Sequence, residues 1–416
     1  MPARAAAPRP PLSRSALPVL LVASAVLSLC MGLRQSLGLF LRPMNVDIGV
    51  SASAFGLAMA VQSLVWGLAQ PAVGAAADRW GPRPVLFASS LVYVAGLALM
   101  ALSGSPQVGL PLGGGLLVGL GVAGTGFGVL IGAVSRATPP ERRSWAVGLV
   151  SAAGSLGTML LAPLGQQLIE GLGWRGALLC FAGVAAGMAF LSLGIGGKRG
   201  RDAGVAAAAD DGQGLRDALA EAFAHRGYLA LTAAFFACGF QLVFIGTHLP
   251  RYLALCGLPP SVGASALALI GLFNAAGSLA AGWLGAYYDR SRLLALVYLL
   301  RTLAIAAYLV LPVSAPSTLV FAAAMGLLWL SVTPLVSGLI GGLFGLRHFN
   351  ALFGVVFLGH QLGSFAGAWL GGLALDLTGS YRLAWWSMIA VGLTAAALQW
   401  PMDTEPVRYV KGGFIH

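Results

Sequence analysis

Charge is what this chain lacks. Asp, Glu, Lys and Arg together make up 9% of its 416 residues, against about 25% in soluble domains, and the mean hydropathy is +0.85. So few charges cannot cover a water-facing surface, which excludes a soluble globular protein. The solvent for most of the surface is expected to be lipid. Cysteine is scarce as well: Cys30, Cys180, Cys238 and Cys256 lie in or beside apolar runs without paired loop spacing. That excludes a disulfide framework or a cysteine metal site and leaves small buried hydrophobes. Acidic residues are rarest, 13 against 24 basic ones, and none falls in the middle of an apolar run. The net charge of +11 does not point to nucleic acid, because the basic residues sit in short loops with no basic stripe or helix.

What is present is apolar length. A membrane-spanning helix needs about 20 apolar residues. Such runs fall near 16–42, 52–77, 84–104, 109–135, 144–169 and 175–195, then near 228–253, 262–288, 293–312, 316–343, 350–375 and 383–401. The first run follows Arg4, Arg9 and Arg14. It is longer than the roughly 7–15-residue core of a cleaved signal, so it reads as an uncleaved first helix. With the N-terminus placed in the cytoplasm, 18 of the 24 Lys and Arg fall on the inside, 4 outside, and Arg34 and Arg301 within spans. Positive charge collects in cytoplasmic loops, so a multi-pass protein of the inner (plasma) membrane is expected, with both termini cytoplasmic.

The chain divides into 1–195, a linker over 196–227, and 228–416. The linker begins Gly/Ala-rich and flexible, and "LRDALAEAFAH" (215–225) has the spacing of a short surface helix. The halves echo one another. "GAAADR" at Gly74–Arg79 returns as "GAYYDR" at Gly285–Arg290, 211 residues later, and Glu170, Gly173 and Arg175 return as Asp376, Gly379 and Arg382 about 206 on. Two similar six-helix bundles around a central axis are expected, with a midplane site between them.

The stretch "GAAADRWGPR" (Gly74–Arg83) resembles the major facilitator superfamily signature between helices two and three. Gly74, Asp78, Arg79, Gly81 and Arg83 occupy its positions, and Pro82 stands where another basic residue is common. The resemblance implies an all-α membrane fold of twelve helices in two pseudo-symmetric bundles. It also implies a gating role for these residues and for Gly285, Asp289 and Arg290 of the second copy. Asp78 would then sit near the N-terminus of helix eleven, where the helix dipole favours an anion. "GLRQSLGLFLRPM" (Gly32–Met44), "RRSWAVGLVSAAGSLG" (Arg142–Gly157) and "GWRGA" (Gly173–Ala177) are similar to the monocarboxylate/oxalate–formate branch. That branch commonly holds its substrate carboxylate with an Arg in helix eight; the nearest match here is Ser278, with Asn274 one turn earlier.

An ionisable residue inside a span is costly and marks a site by default. Arg34, in the outer half of helix one, either grips an anion or snorkels to the headgroups. Arg301, in helix nine, reads as a structural partner or a snorkelling residue. His360, with Gln361 beside it, lies on a small, polar face of helix eleven with Gly363, Ser364 and Gly367. His248 and Gln241 on helix seven are candidates for proton or substrate contact. Gln35, Gln62 and Asn274 join Arg34, His360 and Gln361 in the expected substrate set. Gln62, Trp66 and Gln70 form a stripe on helix two, and Trp329, Ser331 and Thr333 another on helix ten; each stripe is packing or cavity wall.

A fixed cation without a fixed anion favours an anionic substrate. The expected activity is secondary transport of a small organic anion, a carboxylate foremost, by alternating access, with a coupled proton or counter-anion. The alternatives are an exporter of apolar or cationic compounds and, more remotely, a non-transporting sensor or scaffold. A sensor would want an appended soluble domain, and none is expected. The glycines of "GVAGTGFG" (Gly121–Gly128) lie inside an apolar run, where small residues serve helix packing rather than a dinucleotide loop. No enzyme activity, cofactor or metal is expected. Partners are limited to a small-molecule substrate and membrane lipid, and the protein is expected to be a monomer.

Overall fold

A computed structural model describes residues 16–195, 215–345 and 348–406. The N-terminal arginines, linker residues 196–214, Arg347, Arg408 and Lys411 lie outside the described residues, as do the side chains of Asp78, Arg142 and Arg143. Every regular element described is helical. Lipid offers no hydrogen bonds, so each spanning segment must satisfy its own backbone, and a helix does so alone.

The spans are α1 (Ala16–Ile48), α2 (Ala52–Trp80), α3 (Pro82–Leu102), α4 (Pro106–Ala137), α5 (140–172) and α6 (174–192). The second set is α7 (Arg226–Leu255), α8 (Pro260–Tyr287), α9 (Arg290–Val310), α10 (Ala315–Phe344), α11 (Phe349–Thr378) and α12 (Arg382–Gln399). Ten helical stretches are long and apolar enough to cross a membrane. One of them, Ala146–Ser192, holds both α5 and α6, and the 18-residue α12 completes the twelve. What separates α5 from α6 is Gly173, at φ 68 and ψ 170, a conformation that any side chain would strain. A short helix, Leu215–Ala224, precedes α7.

Small residues let the helices touch backbone to backbone. A methyl on Gly157 of α5 would strike the Ser28 carbonyl of α1, and one on Gly363 of α11 would strike the Phe236 carbonyl of α7. The two bundles meet along α2 against α11 and along α5 against α8, so the pairing in one half is mirrored in the other. This is the major facilitator fold.

Three of the described spans are interrupted, the first of them α1, which tightens to a 3-10 turn at Leu37–Phe40. In α4 a wide π-type turn over Gly109–Leu117 is followed by a break at Gly126. In α10 the helix stops at Trp329 and restarts at Val332. Pro334 explains the break in α10. It has no N–H for the carbonyl of Leu330, four residues earlier, and its ring crowds that group.

Candidate functional site

Arg34 is a cation within the span α1. Its guanidinium turns into the protein: Nη2 donates to Ser63 Oγ of α2 at 3.2 Å, and the group lies 5.0 Å from the centroid of the Trp66 ring. Nε is buried without a hydrogen-bond partner. No carboxylate pairs with it among the described residues. Trp66 is held in turn by Gln70, whose Oε1 accepts from the indole Nε1 at 3.0 Å. Across the bundle boundary Trp66 meets Phe357 of α11 edge to face, with centroids 5.4 Å apart. Phe357 lies parallel to His360 at 5.9 Å, and Phe235 of α7 closes on His360 at 4.8 Å. His360 is half-buried. Ser364 Oγ stands 3.4 Å from its Nδ1.

Gln361 is fully buried, and neither its amide nitrogen nor its amide oxygen has a partner. It packs against Gly67 of α2, where a methyl would come within 2.9 Å of its Cγ. A buried amide without partners carries a desolvation cost of about 1–3 kcal/mol, so unspent hydrogen-bonding capacity remains at the Arg34 Nε, beside Trp66, and at the Gln361 amide, against Gly67. Gln35, next to Arg34, is half-buried.

Other residues singled out from the sequence are already engaged. Gln62 donates to the Gly114 carbonyl in the wide turn of α4 at 2.9 Å. Asn274 uses both arms: Nδ2 donates to Ser155 Oγ of α5 at 2.9 Å, and Oδ1 accepts from the backbone N–H of Leu330 at the break in α10, also at 2.9 Å. Gln241 donates to the Met388 carbonyl at 3.0 Å. His248 sits between the Ala368 carbonyl, 2.7 Å from Nε2, and the Tyr381 hydroxyl, 3.0 Å from Nδ1. A carbonyl can only accept, so Nε2 carries the proton and Nδ1 accepts from the tyrosine. Arg301 does not snorkel, has no acid partner among the described residues, and like Arg34 keeps a buried Nε without a partner. It is fully buried and donates to the Leu328 and Trp329 carbonyls, where the first part of α10 ends. A helix C-terminus carries partial negative charge, which makes it a fitting partner.

The expected gating residues divide. Gly74 has open space around it, and Gly81 turns the chain from α2 to α3 at φ 88. Arg79 lies over Trp80 at 5.8 Å, and Arg83 is exposed. In the second copy Asp289 caps α9, accepting from Arg292 N at 2.7 Å. Arg290 donates to the carbonyls of Gly285 and Gly338, each at 3.0 Å, and ties α8 to α10 within one bundle.

At the opposite end the bundles are fastened together. The Asp376 carboxylate, at the end of α11, accepts from the backbone N–H groups of Ala52 at 3.1 Å and Ser53 at 2.8 Å, the first residues of α2. Arg251 donates to Asn45 Oδ1 at 2.8 Å, and Gly38 of α1 packs on the Gly246 carbonyl of α7. The sequence marked Asp376 only as half of a repeat, and Ser63, Ser155, Asn45 and Arg251 not at all. Nothing in their spacing distinguishes them, because each acts through a partner between 29 and 324 residues away.

Comparison with known proteins agrees with this architecture. The profile of the Major Facilitator Superfamily matches residues 20–336. Monocarboxylate transporter 11 of Mus musculus is 32% identical over 375 residues, covering 86% of this chain and 81% of that one. The oxalate:formate antiporter of Oxalobacter formigenes is 29% identical over 177 residues, 41% of this chain and 40% of its own. Among solved structures, a bacterial homolog of the human lysosomal transporter Spinster, in an inward-facing and occupied conformation, superposes with a TM-score of 0.73 at 16% identity, over 93% of this chain and 96% of that one. This chain belongs to the major facilitator superfamily of membrane transporters, and within it resembles the monocarboxylate and oxalate–formate branch.

Proposed function

We propose that the protein carries a small organic anion, a carboxylate foremost, across the inner membrane by alternating access, with Arg34 as the anion's anchor. The observation that carries this reading is the Arg34 guanidinium: buried between α1 and α2, without a carboxylate partner among the described residues, and with Nε unpaired. A carboxylate would supply the missing charge and accept parallel hydrogen bonds. Gln361 and His360 lie on α11 of the other bundle and pack on Gly67 and on Phe357, next to the Trp66 that carries Arg34. An anion reaching from Arg34 to them would bridge the two halves, as a carrier requires. Gln35 completes the set. Gln62, Asn274 and His248 are left out, because they are tied to neighbouring helices. Gln241, whose nitrogen is tied to Met388, keeps a buried Oε1 without a partner and stays a candidate contact. The names of the relatives, which concern monocarboxylates, oxalate and formate, lend support.

With both termini cytoplasmic, the end fastened by Asp376 and Arg251 faces outward. No acid in mid-span is available to relay a proton, so coupling falls to His360, to a proton travelling with the substrate, or to exchange for a second anion. The test is uptake of a carboxylate panel into proteoliposomes. Removing one member of a buried, hydrogen-bonded charge pair costs about 2–5 kcal/mol, so Arg34→Ala is expected to lower kcat/KM for every accepted anion by about 100-fold, with Arg34→Lys intermediate. Equal transport by wild type and Arg34→Ala would refute the anchor.

A further inference from the structure

We infer that the anion carried is one with an aromatic ring, an aryl carboxylate in preference to a short aliphatic one. This inference rests on the anion reading and narrows it. Phe349, Phe353, Phe357 and His360 succeed one another at helical spacing along a single face of α11. Their rings lie nearly parallel, with centroids 5.9, 6.4 and 5.9 Å apart and interplanar angles of 20, 14 and 4 degrees. The row starts at the N-terminal end of α11 and runs toward Trp66, on whose ring Arg34 lies. All four rings are only half-buried.

This face is not turned to lipid, since Phe357 meets Trp66 of the other bundle at 5.4 Å, and Trp66 in turn carries the guanidinium on its ring. The charge that would hold an anion is therefore bordered by aromatic surface. Rings at centroid separations of about 4.5–7 Å attract one another through the match of electron-rich faces and electron-poor edges, and guanidinium stacks on such faces. A two- or three-carbon acid would satisfy Arg34 and touch little of this wall. A planar ring attached to the carboxylate would reach Trp66 and Phe357 while the carboxylate stayed on Arg34.

Isothermal titration of the purified full chain with benzoate, cyclohexanecarboxylate and acetate tests the inference. Benzoate and cyclohexanecarboxylate are alike in size and charge and differ in planarity and π-electrons. Benzoate is expected to bind about tenfold more tightly than cyclohexanecarboxylate, the effect of one or two aromatic contacts, with acetate weakest. Phe357→Leu keeps an apolar side chain there and is expected to bring benzoate down to the level of cyclohexanecarboxylate; Phe353→Leu gives a second variant should the first not fold. Acetate or cyclohexanecarboxylate binding as tightly as benzoate would overturn the aryl preference and leave the anion reading standing. So would a tenfold preference that survives both substitutions. Binding of none of the three would remove the anion reading, and this inference with it.

Discussion

At the scale of the residue, the same side-chain type performs opposite tasks in this protein. Asn274 and Gln361 are both buried amides in a span. Asn274 has an acceptor and a donor in place, whereas Gln361 has neither. Removing a partner from a satisfied buried pair costs the full desolvation of the group left behind, about 1–3 kcal/mol, while replacing an unsatisfied group by an apolar one of similar shape is close to neutral. Asn274→Leu is therefore expected to destabilise the protein by about that amount, and Gln361→Leu to leave the thermal midpoint unchanged or raised. Gln361→Leu is also expected to weaken anion binding by about tenfold. Thermal unfolding and titration of the two variants side by side check both statements, and an equal loss of stability would contradict them. The sequence could mark these amides as costly but could not separate them, because the separation lies in Ser155 and Leu330, which belong to other helices. Arg34 and Arg301 repeat the lesson: each is a cation in a span, yet one ends on helix carbonyls and the other on a hydroxyl and a ring.

At the scale of the element, hydropathy was sufficient to place the spans within about four residues of their observed limits, because lipid leaves no other way to bury a backbone. The exception is the end of α1, which runs six residues past 42 to Ile48. The break in α10 was also within reach, through Pro334, and so was the bend at Gly173. The fastening of α2 to α11 was not. It depends on a carboxylate meeting the two N–H groups at the head of a helix from another bundle, and only tertiary structure brings them together. A capping side chain contributes about 1 kcal/mol, and the positive end of the helix dipole adds to it. Asp376→Ala is expected to shift the balance toward opening at this end by about fivefold. Spin labels at Val46 and Leu377, both exposed beside the contact, would report it as a growing population of longer distances. An unchanged distance distribution would show that the carboxylate does not hold the end shut.

At the scale of the whole molecule, the fold and the family signature were legible because both are repeated. Two copies of a loop motif at one offset, and a basic bias of 18 to 4 in a counted topology, leave few alternatives. Which end is fastened was not legible, since one sequence must serve both states. The bare guanidinium at the centre has a further consequence. While the two bundles pass each other, the pocket is cut off from water on both sides, and an ion held there without a counter-ion loses several kcal/mol of solvation. Filled with an anion, the same pocket crosses nearly neutral. The return of the vacant carrier is then the slow half of the cycle, and one-for-one swapping should outrun one-way flow. Efflux of labelled substrate from vesicles is expected to accelerate several-fold when unlabelled substrate is placed outside, and to lose that acceleration in Arg34→Ala. If Arg34 anchors the anion as proposed, the carrier is expected to work as an exchanger, with no second binding site needed.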